Sequence, residues 1–348
     1  MNQPIERTGQ RTGAEQEPLL MNTLPNIALL GTGGTIASTA SSATVLADYT
    51  VTEGIDDLLS AVPALSSLAN IQCQQVFNVD SRNITHAMLL KLAAKVNRLL
   101  ADPGIDGIVI THGTDTLEET ACFLHLTIHS AKPVVIVGAM RPASALSADG
   151  PLNLYNAVLL AAHPDARDLG VLATLNDSVH AARFVSKTHT AQVNAFGSPG
   201  YGSLGQIHNG RLHLFQAPIK HPAETRFSLA GLKTLPWVDI LYDHQDAGLH
   251  LYEAAIAAGA QGIVIAGSGN GSLSPQAQKG VRLAKKHHIP CVRSSRCGAG
   301  MVSASPDDAR RGLIAAQSLN PQKARILLML ALTQTHDRAT IESYFEQY

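Results

Sequence analysis

The sequence predicts an α/β protein of two domains, in which a larger N-terminal domain with a mostly parallel sheet precedes a smaller C-terminal parallel β/α domain. Aliphatic runs such as residues 27–30 and 107–110 lack polar alternation, which is typical of parallel strands buried on both faces. From residue 24 onward these runs alternate with segments of helical length, which favours crossover helices. A chain of 348 residues is also long enough for about two domains.

The predicted elements of the larger domain follow one another regularly. The strand at 27–30 leads into a glycine-rich turn at 31–34, and the strand at 107–110 leads into a second turn at 111–116. We expect helices at 54–61, 85–102, 116–130 and 149–163. We also expect one strand that ends at residue 79 and two strands at 133–137 and 170–175.

The smaller domain is predicted from a second β/α series that follows a segment without periodicity. Residues 217–235 contain prolines and no sustained hydrophobic period, which indicates a linker. We therefore assign residues 24–216 to the N-terminal domain, 236–348 to the C-terminal domain, and the charged residues 1–23 to a flexible tail. The strands of the C-terminal domain are expected at 238–242, 262–266 and 290–293, and its helices at 250–258, 275–287 and 321–335.

The composition argues against several classes of function. The net charge is −1, from 26 basic and 27 acidic residues, which offers no electrostatic footprint for nucleic acid or for an anionic membrane surface. No apolar run reaches the roughly 18 residues of a membrane-spanning helix. The four cysteines show no C-x-x-C spacing, so neither a zinc site nor a disulfide framework is indicated. A small molecule is the expected partner.

The residues also argue against a cofactor or a metal. The turn at 31–34 follows a strand, as in dinucleotide-binding folds, but Ile36 stands where that pattern needs a glycine. No H-E-x-x-H occurs, and His125 and His129 lack a third ligand, so we expect them on a solvated helix face. His112 is expected to be a hydrogen-bonded core histidine. We therefore predict no metal and no cofactor.

Hydroxyl side chains follow both predicted turns. If the strands at 27–30 and 107–110 are neighbours, Thr35 and Thr114 face each other at the carboxyl edge of one sheet, where open α/β folds bind ligands. Two threonines in one cleft favour hydroxyl-based nucleophilic chemistry. Such chemistry needs a base or a pre-organised hydrogen-bond path, because a threonine hydroxyl is a weak nucleophile. The alternative is a pair of tight turns whose threonines have no catalytic role.

These turns resemble the two signature segments of the bacterial L-asparaginase family. The segments are Thr32-Gly33-Gly34-Thr35-Ile36-Ala37 and His112-Gly113-Thr114-Asp115-Thr116. The stretches at 137–142, 147–151, 207–210 and 292–296 also agree with this family. From about Leu24 to Tyr348 the chain is similar to the type II branch throughout, so the resemblance covers nearly the whole chain.

The resemblance implies a flavodoxin-like larger sheet and conversion of L-asparagine to L-aspartate and ammonia through a threonine acyl-enzyme, without a cofactor. Thr35 would be the nucleophile. Tyr49, which a mobile loop over residues 38–48 brings onto Thr35, would orient it. Thr114, Asp115 and Lys187 would form a proton-moving triad. Substrate would be held by Ser81, Thr114, Asp115 and an asparagine matching Asn270 from a neighbouring chain, within a homotetramer built as a dimer of dimers.

Two positions depart from the type II pattern. Arg82 stands where relatives carry Gln or Glu beside the substrate ammonium, and Ser305 lies in a stretch where relatives carry a glutamate that crosses the subunit contact. Ammonium recognition would therefore rest mainly on Asp115. We expect Arg82 to point outward, paired with Asp80, because an inward guanidinium would repel the ammonium.

The sequence leaves open the substrate, the class of function and the location of the protein. Glutamine is an alternative or additional substrate, since one methylene gives only about 1–3 kcal/mol of discrimination. A non-catalytic amino-acid sensor is the alternative from a different class of function. Residues 1–22 show no signal-peptide core, so a cytoplasmic location is expected, and the periplasm typical of type II relatives is the alternative.

Overall fold

The computed structural model describes residues 24–39, 42, 44, 50–52, 54–217 and 227–348. In these ranges the chain forms an eight-stranded sheet in its first part and a four-stranded sheet in its second part. The predicted α/β fold with two domains is confirmed. None of the helices in these ranges is long and apolar enough to cross a membrane.

The first part of the chain contains twelve strands and four α-helices within the described residues. The strands are β1 (Asn26–Gly31), β2 (Ser38–Thr39), β3 (Thr50–Val51), β4 (Asn70–Gln75), β5 (Gly107–Thr111), β6 (Val134–Val137), β7 (Val171–Leu175), β8 (Ser178–Ala181), β9 (Ser186–Lys187), β10 (Phe196–Gly197), β11 (Gly205–His208) and β12 (Arg211–Leu214). The helices are α1 (Ile55–Ser60), α2 (His86–Ala101), α3 (Leu117–Thr127) and α4 (Gly150–Ala162).

The large sheet has the strand order β12-β11-β8-β7-β6-β5-β1-β4. The five strands from β7 to β4 are parallel, whereas β8, β11 and β12 extend the sheet with antiparallel pairs. Two tight turns make this extension possible, at Asn176-Asp177 and Asn209-Gly210. All four residues have positive φ, between 47° and 69°, as a two-residue type I′ hairpin requires.

Alternate residues of the central strands enter different cores, which explains their unbroken aliphatic sequence. Ala28 and Leu30 of β1 pack with α2 and α3 in one hydrophobic cluster, while Ile27 and Leu29 pack with α4 in another. The prediction of strands buried on both faces is therefore confirmed.

His125 lies on α3, which is buried along most of its length. The expectation of a solvated helix face was therefore wrong for His125, which is half-buried and accepts a hydrogen bond from Val171 N–H at 3.4 Å.

The strand predicted to end at 79 ends at Gln75. Beyond it the N–H groups of Val76 and Phe77 both bond to the carbonyl of Gly31, and Val79 N–H bonds to the carbonyl of Thr32. The chain thus leaves the ladder and wraps around the first glycine-rich turn. This path brings the following residues, 80–83, to the carboxyl edge of the sheet.

The second part of the chain is a parallel β/α unit. Its elements are β13 (Val238–Tyr242), α5 (His250–Ala257), β14 (Gly262–Gly267), α6 (Pro275–Lys286), β15 (Cys291–Ser295), α7 (Asp308–Arg311), β16 (Leu313–Ala315), α8 (Pro321–Ala331) and α9 (Arg338–Gln347). The strands pair in the order β13-β14-β15-β16, all in parallel. Leu327 and Leu328 of α8 share a hydrophobic cluster with Phe123 and Leu124 of α3, so the core continues from one part of the chain into the other.

Candidate active site

The two signature turns lie against each other at the carboxyl edge of the large sheet. β1 and β5 are neighbours, with Gly31 beside Thr111. Thr32 donates to the carbonyl of Thr111 twice, from its N–H at 3.1 Å and from its hydroxyl at 2.6 Å. Gly34 has φ 90°, and a Cβ atom there would lie 2.2 Å from the amide nitrogen of Gly113. Glycine is therefore required at 34 both by the backbone conformation and by the close approach of the second turn.

Thr35 begins a single 3-10 turn, Thr35–Ala37, directly after that close approach, and it is 3% exposed. The turn is held by the Gly34 carbonyl, which accepts from Ala37 N–H at 2.9 Å and from the Ser38 hydroxyl at 2.8 Å. These bonds fix the backbone on which the Thr35 side chain stands.

Lys187 is brought to Thr114 and Asp115 although more than seventy residues separate it from them in the sequence. Lys187 Nζ donates to Thr114 Oγ1 at 2.9 Å and to Asp115 Oδ1 at 2.6 Å. The Lys187 side chain is 17% exposed and that of Asp115 is 52% exposed, so the carboxylate side of the ion pair is open to solvent. An ammonium group only donates, so the Thr114 oxygen is an acceptor here and its own proton is available to another group.

Ser81 adjoins the second turn from the side of β4. It is buried, its carbonyl accepts from the Thr116 hydroxyl at 2.9 Å, and its hydroxyl lies 3.4 Å from Thr116 N. A Cβ atom on Gly113 would lie 2.8 Å from the Ser81 hydroxyl oxygen. Ser81 therefore lies close to the turn that carries Thr114 and Asp115.

Arg82 has the outward geometry that we expected. Its Nε lies 3.2 Å from Asp80 Oδ2, and its side chain is 74% exposed. Its backbone N–H also donates to Asp80 Oδ1 at 3.2 Å. The guanidinium charge is thus directed to solvent and to Asp80.

Replacement of Arg82 by Gln is therefore expected to change kcat/KM for an α-amino-acid amide by less than about fivefold, because an exposed ion pair contributes only about 0–1 kcal/mol. Steady-state kinetics on asparagine and on succinamic acid, which lacks the amino group, would check this. A tenfold gain on asparagine alone would show that the guanidinium turns into the cleft in solution.

Tyr49 and most of the predicted mobile loop at 38–48 lie outside the described residues. Within the described part, β2 at the start of that loop pairs antiparallel with β3, which follows the loop, and Ser38 lies beside Val51. The hydroxyls of Thr39 and Thr52 lie 2.9 Å apart next to this ladder. The base of the loop is thus joined to the turn that carries Thr35.

Asn270 lies on an exposed loop after β14 and bonds to two residues of the C-terminal part of the chain. Its Oδ1 accepts from Ser303 N–H at 2.8 Å, and its carbonyl accepts from Arg293 at 3.0 Å. Arg293 is held in turn by a buried ion pair with Asp308 at 2.6 Å. Ser305 contacts the same group, because its N–H donates to Asp308 Oδ2 at 2.8 Å. A charged pair thus fixes the loop that presents Asn270.

His112 is a core residue, as expected, and not a base at the surface of the cleft. It is fully buried, and burial lowers its pKa to about 4. Its Nδ1 lies 2.7 Å from the carbonyl of Gly113, and its Nε2 has no hydrogen-bond partner among the described residues. The neutral ring with its proton on Nδ1 therefore stabilises the second turn.

Behind Lys187 lies a buried polar group that the sequence did not lead us to predict. Its members are Glu118 on α3, Ser186 on β9, and Asn320 and Lys323 at the start of α8. The only signal in the sequence is the position of Glu118, three residues after Asp115. Among the described residues, no group of three or more His, Cys, Asp or Glu side chains could hold a metal ion.

The family model for the N-terminal domain of asparaginase matches residues 26–220, and the model for the glutaminase/asparaginase C-terminal domain matches residues 237–345. The chain is 51% identical to L-asparaginase 2 of Bacillus subtilis, over 93% of this chain and 87% of that protein. It is 47% identical to L-asparaginase 2 of Escherichia coli, over 93% of this chain and 94% of that protein.

Among solved structures, the crystal structure of a probable cytoplasmic L-asparaginase from Campylobacter jejuni matches with a TM-score of 0.91 and 47% sequence identity. The match covers 93% of this chain and 100% of the Campylobacter chain. The chain therefore belongs to the bacterial L-asparaginase family.

Proposed function

We propose that the protein hydrolyses L-asparagine to L-aspartate and ammonia, with Thr35 as the nucleophile. The observation that carries the proposal is the hydrogen-bonded group of Thr114, Lys187 and Asp115, with distances of 2.9 and 2.6 Å, beside the turn that presents Thr35. Membership of the L-asparaginase family supports the choice of substrate.

In the first step, Thr35 Oγ attacks the carbon of the side-chain amide and loses its proton along a path that includes Tyr49. The resulting tetrahedral intermediate carries a negative oxygen, which needs preformed donors. We assign this role to the backbone N–H groups of Thr35 and Thr114, because their turns are in contact. The amide nitrogen gains a proton and leaves as ammonia, and an aspartyl ester remains on Thr35.

In the second step, water attacks that ester and regenerates the threonine hydroxyl. Thr114 accepts a proton from the water and passes its own hydroxyl proton to the departing Thr35 oxygen. Lys187 polarises the Thr114 oxygen that accepts its hydrogen bond. Asp115 holds the lysine in place through a short charge-assisted hydrogen bond of 2.6 Å. The overall reaction consumes one water and yields one aspartate and one ammonia.

Substrate recognition is assigned to the same carboxyl edge. Lys187 bonds to Oδ1 of Asp115, so Oδ2 is the atom that we assign to the substrate ammonium. The Ser81 hydroxyl, next to Gly113, is assigned to the substrate carboxylate. No metal or cofactor enters this scheme.

Measurement of ammonia and aspartate from asparagine, with glutamine assayed in parallel, tests the proposed function. We expect equal amounts of both products from asparagine, and slower turnover of glutamine by about 10–200-fold, which is what one methylene in a pocket can give. A sensor without turnover would give a higher melting temperature with asparagine and no ammonia. That result would contradict the proposal.

We further propose a homotetramer built from two dimers, in which Asn270 of one chain completes the site of its neighbour. The exposed position of Asn270 supports this. Light scattering should give four times the chain mass of 36.7 kDa. Asn270→Ala should keep that mass. It should raise KM for asparagine by about tenfold, because the substrate would lose one hydrogen bond to a charged group. A fully active monomer at nanomolar concentration would contradict the shared site.

A further inference from the structure

The buried polar group behind Lys187, which we call the support cluster, consists of Glu118, Ser186, Asn320 and Lys323. Glu118 Oε2 accepts from the Ser186 hydroxyl at 2.7 Å and from Asn320 Nδ2 at 2.8 Å, and it lies 3.6 Å from Lys323 Nζ. Asn320 Nδ2 also donates to Ser186 Oγ at 3.1 Å. One carboxylate oxygen thus joins three side chains from two parts of the chain.

The support cluster contacts both residues that precede Lys187. Lys323 Nζ donates to the carbonyl of Val185, and Ser186 is bonded to Glu118 and Asn320. β9 is only two residues long and pairs with β10 only through Phe196 and Gly197. Beyond this ladder, Thr188 N–H bonds to the Ala195 carbonyl at 2.7 Å and Val185 N–H to the Ala181 carbonyl at 3.0 Å. The support cluster adds side-chain hydrogen bonds to the two residues directly before Lys187.

The same cluster is continuous with the turn that carries the partners of Lys187. Glu118 lies in the first turn of α3, three residues after Asp115. Asn320 is the N-cap of α8, where its Oδ1 accepts from Lys323 N–H at 3.0 Å. Its Oδ1 is thus bound to the helix and its Nδ2 to Glu118 and Ser186. The positions of α3, β9 and α8 are therefore coupled through four side chains.

Burial of the Glu118 and Lys323 charges costs desolvation free energy, which apolar side chains joining the two domains would not incur. The side chain of Lys323 is 2% exposed and that of Glu118 is 8% exposed. Burial lowers the pKa of Lys323, and the Glu118 carboxylate opposes this effect. Desolvation of a buried ion pair costs several kcal/mol per ion, and well-packed apolar residues often stabilise such a position equally well. The advantage of the ion pair lies in its directionality.

We propose that the support cluster positions the Lys187 ammonium against Thr114 and Asp115, so that the C-terminal domain of the same chain sets the geometry of the proton-moving group. This inference rests on the proposed function for its kinetic consequences. Glu118, Ser186, Asn320 and Lys323 are positioning residues, because they act through the backbone at 185–187 and not on the substrate.

The neighbouring ion pair, Glu119 with Arg325, provides a matched control. Its charged atoms lie 3.6 Å apart and join the same two helices, α3 and α8. Arg325 also bonds to His86 and to the carbonyl of Val238, away from β9. Neutralisation of Glu119 therefore removes a charge contact between the domains without removing a contact to residues 185–187.

The first test compares Glu118→Gln with Glu119→Gln in the full-length enzyme. We expect Glu118→Gln to lower kcat on asparagine at least about tenfold with KM within about twofold, because a displacement of 1 Å can cost about 100-fold in rate. Glu119→Gln should keep kcat within about twofold even where its melting temperature falls. Equal losses of kcat in the two variants would show a purely structural role and overturn the proposal.

The second test uses Ser186→Ala, which leaves the buried ion pair of Glu118 and Lys323 intact. This variant tests whether the cluster positions Lys187 even if Glu118→Gln does not fold. We expect a drop in kcat of about three- to tenfold and a fall of a few degrees in melting temperature, because the Ser186 hydroxyl bonds to both Glu118 and Asn320 and each of these hydrogen bonds contributes to stability. A crystal structure of this variant should show Lys187 Nζ moved away from Thr114 Oγ1, from the present 2.9 Å. An unchanged distance together with wild-type kcat would overturn the proposal. A wild-type enzyme without activity on asparagine and glutamine would contradict the proposed function instead. The distance from Lys187 Nζ to Thr114 Oγ1 in the Ser186→Ala crystal structure would still decide whether the cluster positions Lys187.

Discussion

Thr35→Ala is expected to fold normally and to lose on the order of 10⁴-fold or more in kcat on asparagine, because the side chain that forms the ester is gone. The melting temperature should fall by only a few degrees, since the cost is about 1–2 kcal/mol for a buried hydroxyl and methyl group. Ammonia release and calorimetry on the same preparation measure both quantities.

Thr32→Val is the matched control for this variant. Thr32 is also buried in the first turn, and its hydroxyl donates to the Thr111 carbonyl at 2.6 Å. We expect it to lose stability, about 1 kcal/mol for one hydrogen bond, and to keep most of its turnover. Substantial residual turnover in Thr35→Ala would mean that another group attacks the amide.

Thr114→Val is the second variant with a large expected effect. Valine has nearly the shape of threonine but cannot accept the hydrogen bond from Lys187, which is 2.9 Å long. We expect kcat to fall by about 10²–10⁴-fold, the usual contribution of a positioned proton-transfer group, with little change in melting temperature. Kinetics and thermal unfolding of the purified variant test this.

Thr114→Ser keeps the hydroxyl and should retain kcat within about tenfold, since only a methyl group is removed. A large loss of stability in Thr114→Val with a proportionate loss in Thr114→Ser would indicate that this residue supports the core and not the chemistry.

The sequence was informative about the central strands because their burial on both faces leaves unbroken aliphatic runs. The antiparallel strands β8, β11 and β12 carry a weaker pattern, as β11 alternates between buried and exposed residues over only four positions. Asn209-Gly210 was the signal that could have predicted the β11–β12 hairpin, since this dipeptide is the strongest short-range sign of such a turn. β16 has three residues, too few for any period to be visible.

The grouping of Thr114, Asp115 and Lys187 was predictable because two of its members share a signature turn and the third was supplied by the family resemblance. The support cluster was not predictable in this way. Asn320 and Glu118 are 202 positions apart, and Lys323 lies in a helix where a charged residue is ordinarily expected on the surface. Only the packing of α8 against α3 reveals that its charge is buried.

The central claim, that Thr35 carries the acyl group, is tested most directly by acid quenching of the wild-type enzyme during turnover of asparagine, followed by peptide mapping by mass spectrometry. We predict an aspartyl ester on the peptide that contains Thr35, and its absence from the same peptide of Thr35→Ala. An ester on Thr114, or continued ammonia release by Thr35→Ala at the wild-type rate, would contradict the assignment.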